Sequence, residues 1–373
     1  MRGHIEKRWS SSYTIIIDLG KDPSTGKRKR IAKNIATEDR ELAEREMRRM
    51  MSELDDGTYV EPTALTLGDW CRQWYDMQKD RLGPKTRRRY AECIDLRLIP
   101  RLGHIRLDKL QPLHIQRFYV ELSRAGRTGK ANGADKADED TQDARPLSPG
   151  LIRYHHAVLY KALEAAVKFR LIRQNPASGL ELPKLPRWQA RVKPLTPEQI
   201  ASMLADARKT PYYIPILLAV TCGLRRGEIL GLRWQDVDLE AGRLTINQTL
   251  GYTPEEGIYM KDAKTDGSHA TVTIPPITVD ALRAHRAERN KRRLKKGEGW
   301  KDFDLVCDRG DGAPCHPDSI SSWFPKWMKG RGTDGITFHG LRHAHATWLI
   351  SLGLAYIRRR YKSASGTGTS APR

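Results

Sequence analysis

Cysteine is scarce in this chain. Cys71, Cys93, Cys222, Cys307 and Cys315 are the five in 373 residues, and no two form a Cys-x-x-Cys pair. That pattern excludes a disulfide framework and reads as reduced thiols in a cytoplasmic protein. Cys307, Cys315 and His316 lack the second ligand pair that a structural zinc site needs. Long apolar runs are missing too: none approaches the roughly 18–20 residues of a membrane span. The start, Met1 to Arg8, has no apolar stretch behind it and does not read as a signal peptide. Acidic residues are in deficit, with 45 Asp and Glu against 66 Lys and Arg and a formal net charge of +21. Such an excess calls for a polyanionic partner, and a duplex is the simplest one. A chain of 373 residues has room for two or three domains.

What is present follows an order. Residues 13–19 are rich in β-branched side chains and read as a strand, and Asp22 to Gly26 as a turn. Lys27 to Ile35 returns as a second strand, with Arg28 and Arg30 on one face and Lys27, Lys29 and Lys33 on the other. Thr37 is expected to cap a helix with Ala43, Met47, Met50 and Leu54 as its apolar stripe. A basic ribbon of two or three strands fits a major groove, and a solvated basic hairpin is the alternative. After a linker at 56–62, Thr66 to Asp69 opens a helix with Trp70, Trp74 and Met77. Lys85, Thr86, Arg87, Arg88 and Arg89 are candidates for phosphate contact, or else an exposed charged helix face. Further helices are expected at Leu107–Leu122 and, opened by Ser148-Pro149, at Leu151–Phe169. Residues 124–146 are polar and aperiodic and read as a mobile insertion. Residues 182–187 form a Pro-rich linker.

Beyond it, Thr196-Pro197-Glu198-Gln199 reads as a capping box. Tyr212 to Val220 is apolar enough for a buried helix, which Cys222-Gly223 breaks. Arg225 then opens a short helix with Glu228 one turn on. A carboxylate holding an Arg fork suits bidentate binding of a phosphate, although a surface ion pair has the same spelling. Strands are expected at Leu244–Leu250 and Ala270–Ile274, with a hairpin-like turn, Lys261 to Ser268, between them. Thr278 to Leu294 is a helix whose basic face (Arg283, Arg286, Arg289, Arg292, Arg293) touches DNA or is solvated. His339 and His343 stand four apart, a spacing that can also face one metal on a helix.

The stretch Thr221-Cys222-Gly223-Leu224-Arg225-Arg226-Gly227-Glu228 and the later Thr337-Phe338-His339-Gly340-Leu341-Arg342-His343 form an ordered pair. Together they resemble the tyrosine recombinase (phage integrase) family, whose first motif carries an Arg after Gly-Leu and whose second is His-x-x-Arg. The resemblance covers residues 60 to 353 or so. It implies a mixed α/β multidomain chain: an arm-type DNA-binding domain of small sheet plus helix at 1–60, a helical core-binding domain at 63–183, a mainly α catalytic domain with a small sheet at 190–360, and a disordered tail at 361–373. It implies site-specific recombination of double-stranded DNA through a phosphotyrosyl link, by a homotetramer and without cofactor or metal. By the same resemblance Arg225 and Arg342 bind the phosphate and His339 adds a hydrogen bond. Lys264, in its Lys-Thr context, protonates the leaving oxygen; without the resemblance it reads as a solvated turn lysine. Glu228 and His343 support them.

The end of the chain departs from that family. The pattern runs through Ala346 to Gly353, but no Leu-Gly-His follows. The family's tyrosine would fall just past Arg373, and Tyr356 and Tyr361 come too early. The expectation is a coding frame that shifts or stops near residue 360. Such a chain binds and bends DNA, lacks its nucleophile, and synapses weakly without the C-terminal helix. A silent DNA-binding competitor and a type IB topoisomerase-like relaxase are the other readings, and the arm-like start argues against the second.

Overall fold

The computed structural model describes residues 2–9, 11–21, 26, 28–61, 63–125, 146–185, 195–262, 270–331 and 335–351. The chain divides into two compact units, residues 1–186 and 187–373.

The first unit opens with an antiparallel sheet in the order β1 (Arg2–Trp9), β2 (Ser12–Lys21), β3 (Arg28–Ile35). Strand β1 was not legible: its charged residues carry no strand propensity, and its conformation comes from pairing with β2 along nearly its whole length. Ile15, Ile17 and Ile31 share one face of the sheet and are buried with Met50 of α1 (Arg40–Asp55). The other face carries Arg28 and Arg30, which stand 3.7 and 3.5 Å from the Asp18 carboxylate. Asp39, not Thr37, caps α1: its carboxylate accepts the Glu41 amide at 2.8 Å, while the Thr37 hydroxyl accepts the Asp39 amide. The carboxylate wins because it also meets the positive start of the helix.

Helices follow: α2 (Leu67–Gln78), α3 (Pro84–Cys93), α4 (Ile99–Leu102), α5 (Pro112–Ala125) and α6 (Pro149–Lys168). Thr66 and Ser148 cap α2 and α6 as their sequences require. The helix expected from Leu107 begins at Pro112, because a residue without an N–H and with fixed φ belongs in a first turn. Trp70, Trp74, Tyr90, Phe118 and Tyr119 fill the core between these helices.

The second unit begins with α7 (Pro197–Ala207), whose Thr196 and Gln199 form the full reciprocal capping box. Then come α8 (Tyr213–Thr221), α9 (Arg226–Gly231), β4 (Val237–Asp238), β5 (Arg243–Ile246), β6 (Gln248–Thr253), β7 (Gly257–Asp262), β8 (Ala270–Thr273), α10 (Pro276–Lys296), α11 (Pro317–Met328) and α12 (Phe338–Ser351). The strand expected over Leu244–Leu250 is two strands. Asn247 breaks it by turning its side chain to Asp236 at 2.7 Å, after which β5 pairs with β8 and β6 with β7. Lys261 and Asp262 extend β7 instead of starting a turn, and the rest of that turn, 263–269, lies outside the described residues.

The basic face of α10 is largely paired, with Arg289 buried and Arg292 half-buried, while Arg283, Arg286 and Arg293 stay exposed. Arg289 is 3% exposed and stands 3.3 Å from the buried Asp308 carboxylate. Arg292 faces the same carboxylate at 3.7 Å, Arg293 bonds Asp302 at 2.8 Å, and Arg283 bonds Glu240 at 2.9 Å. A period of 3.6 cannot tell a solvated stripe from one facing acids that lie elsewhere in the sequence.

Helix α9 lies directly on β6. A Cβ at Gly227 would sit 2.8 Å from the Leu250 carbonyl oxygen, and one at Gly231 would sit 2.9 Å from the Leu250 nitrogen. Gly231→Ala is therefore expected to lower stability by about 1–3 kcal/mol through overpacking against backbone. A urea midpoint unchanged from wild type would contradict this packing.

Candidate functional site

Helix α8 is buried along its length from Ile214 to Val220, which fixes where it stops. Gly223, at φ +62°, turns the chain in the left-handed region that favours glycine. Leu224 is buried, so Arg225 is delivered in extended backbone at the mouth of α9. One carboxylate then organises the corner. Glu228 accepts the Arg225 amide at 2.7 Å on one oxygen and the Arg225 guanidinium at 2.8 Å on the other. It thus serves as the helix cap that the Arg225 side chain cannot be.

The same carboxylate meets a second guanidinium. Phe338, Leu341 and Ala344 bury the inner face of α12, and Arg342 rides at the edge of that face. Its Nη1 donates to the Gly223 carbonyl and lies 3.8 Å from Glu228. Its side chain is 10% exposed and that of Glu228 12%, whereas that of Arg225 is 50% exposed. Two permanently charged forks thus share one buried anion, one fork anchored inside and one reaching out. They retain an excess of positive charge, which suits an external anion such as a phosphodiester.

His339 lies one turn before Arg342 on α12, and its ring packs edge-to-face on His343 at 4.7 Å. Partial burial pushes the His339 pKa below the ordinary histidine value, helped by His343, Arg342 and Arg225. A neutral imidazole results, with one N–H to donate and one nitrogen to accept. His345 fastens the ensemble: its Nδ1 lies 2.7 Å from the Val220 carbonyl at the end of α8. Arg226 fastens the other side, donating to the Pro317 carbonyl at 2.9 Å and to Asp318 at 3.1 Å on α11. The sequence reading missed both anchors. Each is a long-range bond to a backbone or side-chain group that spacing along one helix does not reveal.

The structure therefore brings together Arg225, Glu228, His339, Arg342 and His343. Lys264 lies outside the described residues, between the end of β7 and the start of β8. The remaining candidates sit in the first unit. On α3, Lys85, Thr86 and Arg89 are exposed, Arg88 bonds Glu92 at 2.7 Å, and Arg87 offers its carbonyl to Tyr75. Arg28 and Arg30 lie on the open face of β3, beside the Asp18 that the sequence reading did not weigh. Among the described residues no helix is long and apolar enough to cross a membrane.

Residues 193–356 match the model of the phage integrase family, and residues 66–123 match that of its N-terminal SAM-like domain. The chain is 22% identical to a XerC-like tyrosine recombinase of Caldanaerobacter subterraneus over 93% of its own length and 88% of the relative's. It is 24% identical to an integrase of Streptomyces ambofaciens, covering 93% and 84%. Its fold matches the Tn1549 transposon integrase in complex with a circular intermediate DNA, with a TM-score of 0.63 and 18% identity over 82% of this chain and 92% of that one. It also matches a lambda integrase dimer bound to a core site, with a TM-score of 0.52 and 17% identity over 99% and 97%.

The histidines of this unit set its acid limit. Burial lowers the pKa of His285, His339 and His345. The folded state thus resists a proton that the unfolded chain accepts near 6.5. Stability is expected to be level from about pH 7 to 8 and to fall as pH drops through about 6.5. Urea midpoints at both ends of that range measure it, and His345→Gln should shrink the drop. A wild-type midpoint that holds or rises on acidification would contradict the assignment.

Proposed function

The chain belongs to the phage integrase family of tyrosine recombinases, and from that premise we propose that its second unit grips one DNA phosphodiester for site-specific strand cleavage and rejoining. The observation that carries this reading is the single Glu228 carboxylate shared by Arg225 and Arg342. In phosphoryl transfer, negative charge spreads over the non-bridging oxygens as the transition state forms. Fixed donors aimed at those oxygens are the main lever. Arg225 and Arg342 supply them in bidentate form, and Glu228 sets their orientation before DNA arrives. His339, held neutral, donates to the phosphate or takes the attacking hydroxyl's proton. Lys264 is assigned to protonate the departing 5′ oxygen, on the strength of its Lys-Thr context. His343 packs against His339 and fixes the ring.

The recognition surface is assigned to the first unit. Residues 1–60 would act as the arm-binding domain, with Arg28 and Arg30 toward the duplex. Residues 63–183 would act as the core-binding domain, with Lys85 to Arg89 on phosphates. Residues 190–360 would hold the catalytic centre. The partner is double-stranded DNA in the cytoplasm, engaged by four copies of the chain.

The attacking hydroxyl is a separate matter. After the His-x-x-Arg motif the 373-residue chain holds Tyr356 and Tyr361, and neither follows the family's Leu-Gly-His. We therefore read neither Tyr356 nor Tyr361 as the attacking residue, while the Arg225 and Arg342 corner binds the scissile phosphate. A nicked suicide substrate tests this. The expected result is a complex whose affinity falls steeply with salt and no SDS-resistant adduct through Tyr356 or Tyr361. An adduct mapped to Tyr356 or Tyr361 would overturn this reading and identify the nucleophile. Binding that ignores salt would count against the DNA reading itself.

A further inference from the structure

Between α10 and α11 the chain makes a short antiparallel hairpin that the DNA chemistry does not use. Asp308 pairs with Pro314, and the Arg309 amide donates to the Ala313 carbonyl at 2.9 Å. One step further from the turn, the same register sets Cys307 opposite Cys315. Facing residues of an antiparallel pair project to one side, with Cα atoms about 4.5–5.5 Å apart. A disulfide spans Cα separations of about 4.4–6.8 Å. Both thiols are free, Cys307 buried and Cys315 partly exposed. Both border one cavity of about 970 Å³, walled by α10 and the starts of α8 and α11, which gives a small reagent access. His316 is engaged elsewhere: its Nδ1 accepts the Asp318 amide at 3.2 Å and its ring packs on Tyr252 at 4.1 Å. The two thiols are near enough to interact electrostatically and form a dithiol pair across the hairpin.

We propose that Cys307 and Cys315 are a modification site, a dithiol that closes reversibly to a disulfide across the 307–315 hairpin. The oxidant class is a low-molecular-weight disulfide such as oxidised glutathione. The Cys315 thiolate attacks one glutathione sulfur, the glutathione S–S bond breaks, and one glutathione thiolate leaves. Cys307 loses its proton and attacks the Cys315 sulfur, and the second glutathione thiolate leaves. The protein gives up two electrons and two protons, and the oxidant becomes two thiols. Burial raises both thiols, Cys315 to about 11, so exchange is slow at neutral pH and quickens as pH rises.

The bond would lie between two anchors of the segment that carries Arg225. On one side the Val306 amide donates to the Leu232 carbonyl and the Trp234 amide to the Asp304 carbonyl, each at 2.8 Å. On the other, Arg226 holds the start of α11, directly after Cys315 and His316. Closure therefore stiffens the frame around the phosphate-binding corner and should raise the unit's melting temperature by about 5 °C.

The test uses the full chain with oxidised glutathione at mildly alkaline pH, followed by alkylation of remaining thiols, digestion and mass spectrometry. The expected result is one linked peptide pair, Cys307 with Cys315, and Cys71, Cys93 and Cys222 alkylated only after denaturation. Cys307→Ser should retain a glutathione on Cys315, and Cys315→Ser should carry neither modification. A wild-type chain that stops at the mixed disulfide overturns the proposal. So does one that pairs other cysteines, or one that stays reduced while folded yet cross-links Cys307 to Cys315 once unfolded in urea.

Discussion

Two guanidiniums cannot be held side by side without an anion between them, and Glu228 is that anion. At an effective dielectric constant of about 20, two like charges 4 Å apart repel by about 4 kcal/mol. A carboxylate within hydrogen-bond range of one and 3.8 Å of the other offsets that repulsion. It also leaves the pair with net positive charge. The neighbouring features of the corner serve this constraint. The Gly223 turn offers its carbonyl to Arg342, and the small residues Gly227 and Gly231 let α9 rest on β6 so that Glu228 stays put. His345 and Arg226 tie the corner to α8 and α11.

Burial assigns the two arginines different parts. Arg342 is nearly enclosed and spends a donor on backbone, so its position is set by the fold. Arg225 keeps half of its side chain in solvent, so it can meet a ligand at little desolvation cost. One rigid fork and one reachable fork make a receptor that is formed before its ligand arrives, which is how fixed donors act on a developing charge. His339, neutral beside Arg225 and Arg342, completes it without adding to the repulsion.

Much of this was legible in the sequence because it is local. Gly223 before Arg225, Glu228 three residues on, the Thr196 and Ser148 caps and the apolar run of α8 all act within one or two turns. What was not legible depends on partners distant along the chain. Strand β1 exists through β2, and Arg289, Arg292 and Arg293 of α10 meet Asp302 and Asp308. Arg226 reaches a helix some ninety residues away, and its target was invisible without the fold. The break at Asn247 shows the same limit. Within Leu244–Leu250 only the low strand propensity of Asn247 hinted at a break, and nothing local showed that its side chain would leave the ladder for Asp236.

If Arg225 and Arg342 hold one phosphate jointly, neutralising that phosphate removes what both contribute. The direct measurement is a methylphosphonate scan of a duplex selected by this protein, neutralising one phosphate at a time and repeating the scan with Arg225→Ala and Arg342→Ala. Joint binding predicts a single position where the neutral linkage weakens wild-type binding but not that of either variant, with a coupling above about 1 kcal/mol for each arginine. Coupling near zero at every position, or two arginines coupled to different phosphates, would contradict it.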